Sequence, residues 1–168
     1  TEGSDGLKIS GTGNATNRWG GKYKAVPASE FAVIAKLVVA SPDLGATATA
    51  MALFVSDNLG TVPSTADFRQ LENIAGLTAG SQFAISRTWN AYNGSTSAST
   101  QSGLTPSVLY ARLRLNGTTM KTDYSFDGNA WKYHSSVTLG FTPVHYGISF
   151  IQNDAVAGEA TCRFFRVK

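Results

Sequence analysis

Through much of this chain apolar and polar residues alternate with a period of two, the signature of strands with one buried face. The alternation is cleanest over residues 110–133, YARLRLNGTTMKTDYSFDGNAWKY, where it predicts three antiparallel strands and two tight turns. Asn116 and Gly117 tolerate the positive φ that both central positions of a type I′ turn require. A hairpin centred on them has Leu115 facing Thr118, Leu113 facing Met120 and Ala111 facing Thr122. Leu113 and Met120 then share the core face. Arg112, Arg114, Lys121 and Asp123 share the wet face, with Asp123 in diagonal reach of Arg112. Asp127-Gly128-Asn129 marks the second turn. Tyr124 and Phe126 continue the core face before it, and Trp131 follows it.

The same reading predicts strands over 7–10, 23–26, 31–40, 47–56, 81–90, 137–141, 146–151 and 160–167, with 68–74 either a short strand or one helical turn. The run FAVIAKLVVA at 31–40 is apolar on both faces, which suits a central strand covered on both sides. Residues 11–21 and 92–103 read as polar loops. The first is glycine-rich but lacks the Gly-Lys-Ser/Thr ending of a phosphate loop. No repeat is visible and no helix is needed. About ten to twelve short strands at this spacing predict an all-β fold, an antiparallel two-sheet β-sandwich, as a single domain over 1–168.

Composition agrees. A chain of 168 residues is long enough for one real core. Apolar residues make up 42% and charged residues 15%, and seventeen Gly fit a turn-rich β domain. The net charge of +3 is dispersed, so no nucleic-acid partner is expected; the Arg112/Arg114/Lys121 grouping reads as a solvated sheet face. No apolar run approaches the roughly 18 residues of a membrane-spanning helix, so no membrane insertion is expected. The polar start TEGSDG, without an initiator Met, reads as the beginning of an excised fragment or a processed chain. The single cysteine, Cys162, allows no internal disulfide. It alternates with Ala160 and Phe164, which makes it a small buried hydrophobe in the last strand. As a nucleophile it would need His134 or His145, and neither is near in sequence.

Three segments carry a family resemblance. Tyr110-x-Arg112-Leu113-Arg114-x-x-Gly117, Tyr124-Ser125-x-Asp127-Gly128-x-x-Trp131 and Ala160-Thr161-x-x-Phe164-Phe165-Arg166-Val167 resemble the C-terminal half of concanavalin A-like (laminin G-like) β-sandwich domains. The resemblance implies a jelly-roll architecture and assigns Trp131 to the core. It implies no single function, because this sandwich carries lectins, glycosidases, carbohydrate-binding modules and structural domains.

Glycoside hydrolysis needs a pair of carboxylates flanking the bond. Glucanases of the superfamily carry Glu-x-Asp-x-x-Glu on one strand, and nothing here matches. Glu2, Glu30, Glu72 and Glu159 are isolated, and Asp127 is needed by its turn. The chain therefore reads as non-catalytic, with glycoside hydrolase as the remote alternative. No metal cluster stands out. Calcium, which wants several convergent oxygens, has only the pairs Asp57-Asn58 and Asn153-Asp154 as loop donors, and no other cofactor is implied. Sugar recognition needs an aromatic face for the apolar side of a pyranose, with amides and hydroxyls beside it. Trp89 and Tyr92 with Asn90 and Asn93, and Trp19 with Arg18, meet that description next to polar loops. Trp89 also continues the core alternation of Phe83 and Ile85, which makes it half-buried. The expected function is glycan or receptor binding on an extracellular or virion surface. The alternative is an assembly or decoration module of a virion, such as a phage tail fibre, able to form homo-oligomers such as trimers and taking no small ligand.

Overall fold

The computed structural model describes residues 2–3, 6–11, 18–40, 49–57, 67–75, 82–83, 85–90, 95–97, 101–102, 108–152 and 158–167, with side chains over 21–38, 51–57, 108–150, 161–162 and 167. The described residues are strands and turns. A seven-stranded antiparallel sheet runs in the order β1 (Glu2–Gly3), β2 (Gly6–Gly11), β15 (Gly158–Val167), β4 (Glu30–Ala40), β11 (Val108–Asn116), β12 (Thr119–Ser125) and β13 (Lys132–Thr138). A six-stranded antiparallel sheet runs β3 (Arg18–Ala25), β14 (His145–Gln152), β5 (Thr49–Ser56), β6 (Asp67–Ala75), β8 (Ile85–Asn90) and β9 (Ser95–Ser97). β7 (Gln82–Phe83) and β10 (Gln101–Ser102) make a short ladder of their own.

Alternation builds the core. β4 buries Phe31, Val33, Ala35 and Leu37, and β11 buries Leu109, Ala111, Leu113 and Leu115. From the other sheet come Met51, Leu53 and Val55 of β5 and Tyr146, Ile148 and Phe150 of β14. The two sets meet face to face, with the Phe31 and Tyr146 rings 5.1 Å apart. Burying one such side chain fully is worth about 1.5–3 kcal/mol. The molecule is an antiparallel β-sandwich.

Several details differ from the sequence reading. The hairpin turns at Gly117-Thr118, one residue later than expected, so Leu115 faces Met120 and Leu113 faces Thr122. Gly117 takes the positive φ of 57°. Two long-range bonds hold the turn: Gly117 N–H donates to the Ser29 carbonyl, and Leu139 N–H donates to the Thr118 carbonyl. Phe126 is half-exposed, because the chain leaves the β12 ladder after Ser125. Trp131 lies outside the core cluster and is only half-buried. The expected loop at 11–21 gives up residues 18–21 to β3, and the loop at 92–103 contains β9 and β10. Residues 139–141 fall outside the strand expected there. Residues 68–74 are strand, within β6. Cys162 is buried as expected, but a register shift between Cys162 and Phe164 sets Phe164 opposite Lys36 and breaks the alternation. From β15 to β13 is four strand spacings, about 19 Å, so Cys162 and His134 are not partners.

Candidate functional site

The outer face of the seven-stranded sheet is built by the positions that alternate with the core. On β11 these are Tyr110, Arg112 and Arg114; on β12, Lys121 and Asp123; on β4, Ala32, Ile34 and Lys36. Arg112 stands directly opposite Asp123, where a diagonal contact was expected. A bulge in β13 sets His134 between Tyr133, opposite Asp123, and Ser135, opposite Thr122. The bulge turns His134 inward, where it is buried with its ring 6.2 Å from that of Tyr124. It also puts Tyr133 in the same row as Asp123 and Arg112, 63% exposed.

Asp123 organises the row. It is 2% exposed, yet it sits on the face turned away from the core. Its Oδ2 accepts from Arg112 Nε and from Arg114 Nε, both at 2.9 Å, and its Oδ1 accepts from Arg114 Nη2 at 2.8 Å. The Arg114 contact is the two-pronged fork that fixes a guanidinium in direction as well as position. The Arg112 guanidinium lies 4.4 Å from the centre of the Trp131 ring, a cation–π contact that explains why Trp131 leaves the core. Lys36 Nζ lies 5.3 Å from the centre of the Tyr110 ring. The 126–131 turn folds back over that ring: a Cβ on Gly128 would lie 3.0 Å from Tyr110 Cε1.

Beyond Arg114, toward the hairpin tip, the face opens into a hollow of about 590 Å³ lined by Glu30, Ala32, Arg114, Asn116, Thr119 and Lys121, with Phe31 and Leu115 beneath. Chemically the face offers an exposed ring, guanidinium donors of fixed direction, an amide and hydroxyls. As an acid or base Asp123 is poorly placed, since three donors occupy both its oxygens. Glu30 is two strands across and four residues along from it by register, about 16 Å, well beyond the separation of about 5–9.5 Å that glycosidase carboxylates need.

Of the residues singled out in the sequence, the four that are described lie in the other sheet. Arg18 and Trp19 are in β3, paired with Gln152 and Ile151. Trp89 and Asn90 are in β8, paired with Phe68 and Asp67. Their side chains, and all of Tyr92 and Asn93, lie outside the described residues. Trp19 and Trp89 are not brought together: β3 and β8 are four strand spacings apart, about 19 Å, and the two positions differ by about 20 Å along the strands. The row of Trp89 runs through Phe68 and Ser56 to His145. There Ser56 Oγ and His145 Nδ1 are buried with no hydrogen-bond partner among the described residues, and the half-exposed Tyr23 meets the His145 ring edge-on at 4.9 Å. Of the calcium candidates Asp57 is described, while Asn58, Asn153 and Asp154 lie outside the described residues. Among the described residues no three His, Cys, Asp or Glu side chains gather to hold a metal.

Sequence reasoning missed Tyr133 because nothing in the run KYHSSV announces a bulge. It passed over Arg112 and Arg114 as a solvated face, although their spacing with Asp123 was the available signal.

No protein-family model matches this sequence, and no curated protein matches it. Solved structures do. The GH43 protein BlXynB of Bacillus licheniformis is 14% identical with a TM-score of 0.67, over 96% of this chain and 32% of that one. The legume lectin-like domain from Entamoeba histolytica is 9% identical with a TM-score of 0.59, over 98% of this chain and 84% of that one. The exoplasmic/lumenal domain of VIP36, in its Ca2+/Man2-bound form, is 11% identical with a TM-score of 0.59, over 83% of this chain and 66% of that one. This chain spans about a third of the length of the GH43 protein. At such identities the likeness is one of fold, and the fold is the lectin-like, concanavalin A-like β-sandwich.

Proposed function

We propose that this chain is a non-catalytic carbohydrate-binding domain, displayed on an extracellular surface, that holds a saccharide across the outer face of its seven-stranded sheet. One observation carries the reading: Tyr133, Asp123 and Arg112 form a single row in which an exposed aromatic ring stands beside guanidinium groups pinned by a buried carboxylate. The ring supplies a face for the apolar side of a pyranose, and the pinned donors reach its hydroxyls without first being ordered. Lectin-like neighbours support carbohydrate binding at the level of the fold. The match to one part of a GH43 protein suits an accessory module of a longer carbohydrate-active chain. Nothing in these neighbours favours a virion assembly role.

A second reading places the saccharide on the six-stranded sheet, with Trp89 and Asn90 at one side and Trp19 and Arg18 at a separate point. The half-exposed Tyr23, edge-on to the His145 ring in the row of Trp89, favours it, since it offers a saccharide an aromatic face there.

A glycan array probed with the folded domain tests the function. A reproducible hit is expected, and Tyr133→Ala should weaken it by about tenfold or more, roughly 1.4 kcal/mol. Its thermal midpoint should hardly move, because the ring is exposed. A blank array from a domain confirmed as folded would remove the proposal.

A further inference from the structure

We infer that the hollow beyond Arg114 is a subsite for the carboxylate of an acidic sugar, so that the preferred ligand is a uronate-bearing oligosaccharide; this rests on the glycan-binding reading above. Arg114 gives Nε–H and one Nη2–H to Asp123, which leaves three of its five N–H donors on the edge turned away from that residue. The side chain is 43% exposed, and the hollow is where that edge can be reached. Lys121 is exposed directly opposite Arg114 on the neighbouring strand and lines the same hollow. Like charges directly opposite one another are unfavourable. Asp123 cannot offset both, because its charge is already shared between Arg112 and Arg114. An anion seated between Arg114 and Lys121 relieves the repulsion, and the planar fork of Arg114 matches the two oxygens of a sugar carboxylate.

The other walls orient the sugar. Asn116 and Thr119 offer an amide and a hydroxyl, and Ala32 leaves a small apolar floor. Glu30, opposite Asn116 on β4, repels a carboxylate and accepts from hydroxyls. It therefore turns the acid group toward Arg114 and Lys121. Tyr133 lies two strand spacings from β11, about 10 Å, so one saccharide of two or three units reaches both.

The test is calorimetry of the intact chain with galacturonate and glucuronate tetrasaccharides, each as free acid and as methyl ester, and with a sulfated tetrasaccharide of neutral sugars. At least one free acid should bind about tenfold or more tightly than its ester. Arg114→Gln and Lys121→Ala should each bring that ratio close to one, and Arg114→Lys, which keeps the charge but loses the fork, should restore it only in part. Circular dichroism of the variants separates lost binding from lost fold. Equal binding of acid and ester, or tightest binding of the sulfated probe, overturns the carboxylate subsite and leaves glycan binding standing. Binding of neutral array glycans with no response to any acid does the same. A blank with every saccharide takes down both.

Discussion

Asp127 is held by neutral donors. Its Oδ1 accepts from the backbone N–H of Asn129 at 2.8 Å, from that of Ala130 at 2.9 Å and from Ser125 Oγ at 2.8 Å. The Asn129 N–H, followed by the Ala130 N–H and the Ser125 hydroxyl, holds its carboxyl below the ordinary value of 3.8. A carboxylate depressed in the folded state stabilises the fold above its unfolded value, and that contribution disappears as pH falls through the folded value. The gap in thermal midpoint between the native chain and Asp127→Asn should therefore be constant above about pH 5 and close below about pH 4. A gap that stays constant or widens on acidification would mean that the charge contributes nothing to the turn. Asp123, four residues earlier, is the contrasting case: it is buried and held by two guanidiniums, and its work is to aim Arg114. The sequence identified the turn role of Asp127, because Asp-Gly-Asn is local chemistry. It placed Asp123 in water, because the Trp131 ring that joins the same cluster comes from beyond the next turn.

The hairpin shows what is legible at the scale of an element. Both turns were read from Asn-Gly and Asp-Gly, and both glycines do take positive φ, 57° at Gly117 and 80° at Gly128. The faces were also right, because sliding the register by two residues leaves every side chain on its own face. The register itself was not legible. Either Asn116-Gly117 or Gly117-Thr118 puts a glycine at a positive-φ position, and the choice rests on bonds to Ser29 and Leu139 from other parts of the chain. The two glycines should respond differently to Ala. At Gly117 nothing lies within 4 Å of the added Cβ, so the expected cost is that of the left-handed conformation alone, about 1–2 kcal/mol. At Gly128 the Cβ meets the Tyr110 ring at 3.0 Å, so Gly128→Ala should cost about 1 kcal/mol more than that. Urea unfolding of the two variants measures the difference, and equal losses would show that Tyr110 yields freely. A shifted Tyr110 would also disturb the Lys36 contact on the same face.

At the scale of the whole molecule the sandwich has two outer faces, and the sequence and the structure point to different ones. Periodicity made the all-β class plain, and β4 and β11 show the alternation in their burial. The partition of strands between sheets depends on long-range pairing, and neither β4 with β15 nor β14 with β5 is announced by anything local. Trp89 and Tyr133 thus looked like positions on one chain, but they belong to opposite sheets, whose backbones are about 10 Å apart across the core. A bound saccharide cannot touch both outer faces at once, so substitution separates the two readings. If the saccharide lies on the seven-stranded sheet, Tyr133→Ala weakens binding by about tenfold or more, while Trp89→Ala and Trp19→Ala leave the affinity within about twofold, less than 0.5 kcal/mol. If it lies along the row of Trp89, the pattern reverses, and His145→Ala joins Trp89→Ala in weakening binding. Titration calorimetry on the four variants decides between them. A saccharide lost to both Tyr133→Ala and Trp89→Ala, at a stoichiometry of two per chain, would mean that each face holds its own site.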